Sequence, residues 1–139
     1  MRRMNGGCLC GAVTYRCDAE PLLTAICHCR NCQKQTGTSF SLLVAVPRGT
    51  VGIEGATLRI FSDIGDSGLP VLRKFCGNCG TPIASQLDSM PELEFIKAGT
   101  LEDTSWLSPS MEIWCDSSQP WLKMGGSREL VRRNPPLGG

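Results

Sequence analysis

The sequence predicts a mainly β fold: one domain of antiparallel sheets with little helix. Seven short β-rich runs recur between clusters of turn-forming residues, and no segment sustains the 3.6-residue apolar period of an amphipathic helix over three turns. The length, 139 residues, suits one hydrophobic core but is small for two independent ones. The domain is expected over residues 1–127, followed by a tail at 128–139 (RELVRRNPPLGG) whose charge, proline and glycine predict fraying.

The runs are taken in chain order. Residues 12–16 (AVTYR) and 39–46 (SFSLLVAV) are rich in β-branched and aromatic side chains, and Pro47, Arg48 and Gly49 close the second. Residues 57–61 (TLRIF) and 71–75 (VLRKF) flank a polar, glycine-containing stretch at 63–70, a turn signal between two strands. Residues 82–87 (PIASQL) and 93–98 (LEFIKA) follow. In LEFIK, and again in MEIW within the last run at 111–115 (MEIWC), alternation predicts one face toward the core and one toward solvent. The polar segment 100–109 with its single Trp106 reads as a long connection packed against the sheet.

Composition excludes several function classes. Fourteen Lys and Arg against thirteen Asp and Glu leave a formal charge of +1 with no long basic block, which argues against nucleic acid as a partner. No run approaches the ~18 apolar residues of a membrane span, and no apolar run of signal-peptide length follows the N-terminal residues, so the expected compartment is the cytoplasm. Nine cysteines, an odd number, then point away from a complete disulfide framework, because reducing cytosol reserves clustered thiols for metal binding or catalysis.

Seven of the nine fall into three groups: Cys8 and Cys10; Cys27, Cys29 and Cys32; Cys76 and Cys79. Two cysteines at i and i+2 of an extended chain share a face, and a CxxC followed by glycine curls into a turn whose N–H groups can face the thiolates. Each such pair is half a tetrahedral site, and zinc is the ion such sulfur sets favour. If Cys8 and Cys10 join Cys76 and Cys79, that site is closed and Cys27, Cys29 and Cys32 form a second. The second either keeps an open position, as catalytic zinc does, or is closed by Cys17, Cys115 or His28. His28 alternates with Cys27 and Cys29 and is expected on the opposite face of the chain, in a hydrogen-bonding or surface role. Cys17 and Cys115 stand apart from the groups and are expected as small buried hydrophobes. The spacings match neither common ferredoxin run, and a thioredoxin-type CxxC lacks its βαβ context.

The segments GGCLCGAVTY (6–15), CHCRNCQKQTG (27–37) and FCGNCGTPI (75–83) together resemble the glutathione-dependent formaldehyde-activating enzyme (GFA) family, which includes centromere-protein-V-like proteins. MEIWCDSSQPWL (111–122) is similar to the family's C-terminal strand followed by Pro-Trp, although Glu112 stands where a histidine is frequent. The resemblance implies a β-tent fold, a structural zinc on Cys8, Cys10, Cys76 and Cys79, and a second, more labile zinc on Cys27, Cys29 and Cys32. It also implies carbon–sulfur lyase activity, joining a small aldehyde to a thiol such as glutathione at that second ion. Seven thiolates and two divalent ions lower the formal charge by three, from +1 to −2, so cations matter for an anionic thiol; Arg30 and Lys34, which flank the second group, are the candidate substrate-binding residues. The alternative is a non-catalytic zinc module, a scaffold or interaction protein, since fold alone does not carry function. It requires the second site to be closed by protein. The oligomeric state and the roles of Glu112, Cys17 and Cys115 are not legible at this level.

Overall fold

A computed structural model of the chain describes residues 3–126 and 128–133. Its strands are β1 (Met4–Gly7), β2 (Thr14–Cys17), β3 (Leu23–Cys27), β4 (Ser41–Pro47), β5 (Val51–Glu54), β6 (Leu58–Ile64), β7 (Pro70–Cys76), β8 (Pro82–Leu87), β9 (Leu93–Lys97), β10 (Met111–Ile113) and β11 (Glu129–Leu130). One helix, α1 (Arg30–Thr36), lies between β3 and β4. The chain is therefore mainly β with little helix. Strands β1, β2 and β5 make a small antiparallel sheet, and the other eight form one sheet in the order β11-β10-β3-β4-β9-β8-β7-β6.

The expectation of purely antiparallel sheets is corrected at one edge, where β10 runs parallel to both β3 and β11. Parallel neighbours require a crossover rather than a hairpin. The connection between β9 and β10 supplies the return, and it packs Trp106 and Leu107 against the core as it crosses. The predicted fraying at 128 is also corrected in part. Arg128 bonds Glu112, β11 pairs with β10, and Val131 N–H donates to Glu112 C=O at 2.8 Å, so residues 128–133 are docked. Residues 134–139 lie outside the described part of the chain.

The centre of the large sheet, at β4 and β9, is buried on both faces, which explains why these strands lack clean alternation. In β4, Val44 and Val46 face the small sheet and join Val13, Tyr15, Ile83 and Ile96 in a first core. Leu43 and Ala45 face the other way, into a second core that contains Cys27, Cys32 and Phe95. All five residues of β9 are buried, which corrects the reading of LEFIK as half-solvated. Glu94 tolerates burial because Lys74 Nζ donates to it at 2.9 Å. Lys97, 5 % exposed, shares a face with Leu93 and Phe95 and donates to buried Ser41 Oγ at 2.9 Å.

The small sheet is fastened to the β9–β10 connection at Gly6, which bridges Leu101. A Cβ at Gly6 would lie 2.2 Å from the Thr100 carbonyl oxygen and 2.6 Å from Tyr15 Oη, itself held at 2.7 Å by Thr100 Oγ1. Since backbone is one of the clashing partners, Gly6→Ala is expected to cost about 3 kcal/mol through overpacking. The check is thermal denaturation, with a fall of roughly 10 °C for a chain of this size.

Candidate metal centres

The first centre joins the two sheets. Cys8 and Cys10 lie in the turn after β1, in the small sheet, while Cys76 ends β7 and Cys79 sits in the following turn, in the large one. The turn around Cys8 and Cys10 replaces the extended CxC that the spacing suggested. Gly11 and Gly80, both at φ +81°, supply the left-handed conformation that closes each turn. The four Sγ atoms lie within 4.8 Å of one another, with Cys8 to Cys10 at 3.6 Å and Cys10 to Cys76 at 3.8 Å. Sulfurs about 2.3 Å from a tetrahedral zinc would be ~3.8 Å apart, so the set fits that ion.

Each sulfur also has an outer partner. Val13 N–H donates to Cys8 Sγ at 3.2 Å, Asn78 Nδ2 to Cys10 Sγ at 3.2 Å, and the Thr57 hydroxyl lies 3.3 Å from Cys76 Sγ. The Thr81 hydroxyl lies 3.2 Å from Cys79 Sγ and accepts from Leu9 N–H, tying the two limbs together. That hydroxyl and nearby backbone N–H groups draw the Cys79 thiol down to about 5. Donors aimed at sulfur favour the thiolate, the form that binds metal.

The second centre is built at the junction of β3 and α1. Cys27 ends β3, and Cys29 is the N-cap of α1, its Sγ accepting the Cys32 N–H at 3.2 Å. Cys32 lies one turn into the helix, its Sγ 3.4 Å from that of Cys27, and all three sulfurs fall within 4.8 Å. The Cys29 thiol is drawn down to about 3 by hydrogen bonds with Cys27 and Cys32; the Cys32 N–H and the Arg73 charge add to this against the opposing effect of burial. Hydrogen bonds with Cys29 and Cys32, reinforced by burial, move the Cys27 thiol the other way, upward.

Among the described residues no fourth His, Cys, Asp or Glu joins this set. Cys17 is buried beside Thr50, and Cys115 points to the Glu112 carbonyl. His28 turns its Nε2 to Glu112 Oε1 at 2.8 Å, which leaves Nδ1 buried without a hydrogen-bond partner. The three sulfurs instead border a cavity of about 90 Å³, walled by Leu43, Val71, Met90 and Phe95 and edged by the β6–β7 hairpin at Asp66 and Ser67. Two cations line it: Lys97, and Arg73, whose Nε donates to Asp63 at 3.3 Å and whose Nη1 donates to Gln35 at 3.2 Å.

Sequence reading missed both cations because they sit inside strands. A signal was present for Lys97, which falls in phase with Leu93 and Phe95 at period two. Arg30 and Lys34 do not line this cavity. They border a separate open groove on α1 with Gln33, Thr38, Gln119 and Trp121. Gln33 braces that side, donating to the carbonyls of His28 at 2.7 Å and Ser117 at 3.0 Å while accepting from Arg30 and Gln119.

Glu112 acquires a structural role. It accepts from His28 and, at 3.0 Å, from Arg128 Nε, linking the ligand loop to β10 and to the segment leading into β11. Burial alone would raise its carboxyl, but the hydrogen bonds and charges of His28 and Arg128 outweigh this and hold it below the ordinary carboxylate value. A carboxyl lowered by folding contributes stability above its unfolded value, and loses that contribution as pH falls through the folded one. Glu112→Ala is expected to cost about 2–3 kcal/mol at neutral pH by orphaning two donors. Urea denaturation at neutral and acid pH should show the gap from the parent protein narrowing in acid.

No helix among the described residues is long and apolar enough to cross a membrane. The chain's fold is similar to that of a crystal structure of a Rhodobacter sphaeroides protein, with a TM-score of 0.58 and 24 % identity over 76 % of this chain and 92 % of that one. Residues 3–117 match the family model described as glutathione-dependent formaldehyde-activating enzyme, and with its two cysteine centres in place the chain belongs to that GFA family.

Proposed function

We propose that this protein is a zinc-dependent carbon–sulfur lyase of the GFA type, acting in the cytoplasm to add or remove a small, formaldehyde-like aldehyde at a thiol such as glutathione. The observation that carries the reading is the second centre: three cysteines meet at a cavity, and among the described residues no fourth protein ligand closes them. Cys8, Cys10, Cys76 and Cys79 would hold a structural zinc; Cys27, Cys29 and Cys32 would hold a second, more labile one. A zinc ion held there would supply Lewis-acid chemistry, favouring the deprotonated form of a substrate thiol and polarising a carbonyl.

This chain's own residues set the conditions for that chemistry. The three thiolates hold the site from the β3–α1 side. Lys97 and Arg73 place positive charge beside it, which favours an anionic sulfur over a neutral ligand such as water. The walls of Leu43, Val71, Met90 and Phe95 limit water and leave room only for a small reacting group, so the body of a larger thiol must lie outside the cavity. Arg30 and Lys34, in the groove on α1, are proposed to hold its carboxylates. The scaffold reading is less well supported, since His28, Cys17 and Cys115 are all engaged elsewhere.

Metal analysis should give two zinc ions per chain, one of them removed by mild chelation. Exchange of formaldehyde onto glutathione, followed by NMR, should stop with that first equivalent while the circular dichroism spectrum is unchanged. One zinc per chain at full occupancy, or turnover indifferent to chelation, would overturn the reading.

A further inference from the structure

Strand β6 ends the eight-stranded sheet, and its outer edge pairs with no strand among the described residues. Such an edge is a template for another strand unless proline, a bulge or charge blunts it. β6 has no proline, and Ile60, Phe61 and Ile64 are 52 %, 57 % and 59 % exposed.

The directions of its backbone groups follow from the register. Gly65 N–H donates to Leu69 C=O and Gly77 N–H to Thr57 C=O, in the same odd-numbered ladder that pairs Phe61 with Arg73. Odd residues of β6 therefore bond inward to β7, and Ile60 and Ser62 present N–H and C=O outward. At the strand's ends the outward groups fall back on side chains: Ile64 N–H donates to Asp63 Oδ1 at 2.8 Å, and Leu58 C=O accepts from Arg59 at 3.0 Å.

We propose that this edge is the interface of a two-fold symmetric homodimer, in which β6 pairs antiparallel with β6 of a second copy about Phe61. The charge pattern selects a second copy of this chain as the occupant. Centred on Phe61, the register sets Arg59 opposite Asp63 of the other copy, twice, with Leu58 opposite Ile64 and Ile60 opposite Ser62. Centred one residue either way, Arg59 faces Phe61 or Gly65 and both ion pairs vanish. The edge charges that would repel a random strand thus match across the two-fold. Asp63 already accepts from Arg73 and Ile64, but a carboxylate has lone pairs for a further donor.

The Ile60–Ser62 pairs supply four backbone hydrogen bonds. Phe61 forms a non-hydrogen-bonded pair with its copy, the geometry in which facing side chains come closest. A single strand edge covers less than the ~1,600 Å² of a standard interface, so the dimer is reversible and concentration dependent.

Sedimentation velocity on the full chain should show a monomer–dimer equilibrium in the micromolar range. Phe61→Glu is expected to raise the dissociation constant at least tenfold without changing the melting temperature, because Phe61 is exposed in the monomer. Under mild oxidation Phe61→Cys should form an intermolecular disulfide, since the facing Cα atoms would be ~4.5 Å apart. Ile60→Cys should not, because the two-fold holds those Cα atoms ~8 Å apart, beyond bridging range. A chain monomeric up to high micromolar concentration, a dimer indifferent to Phe61→Glu, or equal crosslinking of the two cysteine variants would overturn the proposal.

Discussion

Cys76→Ser is expected to strip one metal equivalent and abolish the cooperative unfolding transition. Cys76 is wholly buried at the end of β7, and its sulfur closes the set that ties the turn after β1 to the large sheet. A structural zinc in a small module contributes on the order of 10–16 kcal/mol, and a whole domain retains only ~5–15 kcal/mol. Even if a three-ligand remnant keeps half of that binding free energy, the loss of the other half, about 5–8 kcal/mol, is comparable with the entire stability. The serine hydroxyl, un-ionised at neutral pH, would leave a shrunken, neutral side chain where the other three sulfurs converge. Metal content by mass spectrometry and thermal denaturation check the outcome together. Cys115→Ser, outside both centres, is the matched control and should shift stability by no more than ~1 kcal/mol. A Cys76→Ser protein that melts like the parent with two metal equivalents would remove this centre from the account of the fold.

The cysteine grouping was legible because ligand spacing is local chemistry. CxxCG announced its turn, while CxC was read as extended and the helix that starts within CxCxxC was not foreseen; the fold nevertheless brings together the two pairs that the count had matched. The strands with alternating or β-branched sequence were legible for the same local reason. β1 (MNGG), in contrast, contains two glycines and no β-branched residue, and β3 (LTAIC) was hidden beside a proline-containing stretch. Both are strands because tertiary partners, Tyr15 for β1 and β4 for β3, override weak propensity. The parallel β10–β3 pair could not be read at all, since it depends on where a long connection returns. Lys97 and Glu94 were misread for one physical reason: a lysine or glutamate in a strand is assumed to face water, and here each has a buried partner.

The contrast between the two centres has a structural cause. In the first, ligands come from two sheets, and every sulfur has a donor from a neighbouring turn or strand, so the set is complete without a visitor. In the second, all three ligands come from one β–α junction of six residues, and the side away from that junction is a cavity with two cations. On the proposed reading, a centre supported from one side only would be the easier to strip of metal and the one open to a substrate.

Cys29→Ser separates that chemistry from the fold. Cys29 is the N-cap of α1, and serine is among the best N-cap residues, so its hydroxyl can take over the Cys32 N–H and keep the helix start intact. A serine hydroxyl, un-ionised at neutral pH, cannot replace a cysteine thiolate, and the centre loses one of its three sulfurs. The expected result is one metal equivalent lost and turnover of thiol and aldehyde down by at least about 100-fold, since removing even the outer partners of metal ligands costs 10–100-fold. The melting temperature should stay within a few degrees of the parent, because the closed centre and the first core are untouched and serine nearly matches the volume of the half-buried Cys29 at the margin of the second. Cys29→Ala adds the loss of the cap, worth about 1 kcal/mol, without further loss of turnover. Equal stability of the serine and alanine variants would show that Cys29 does not cap α1. Full turnover in either would show that the three-cysteine centre is not where the reaction occurs.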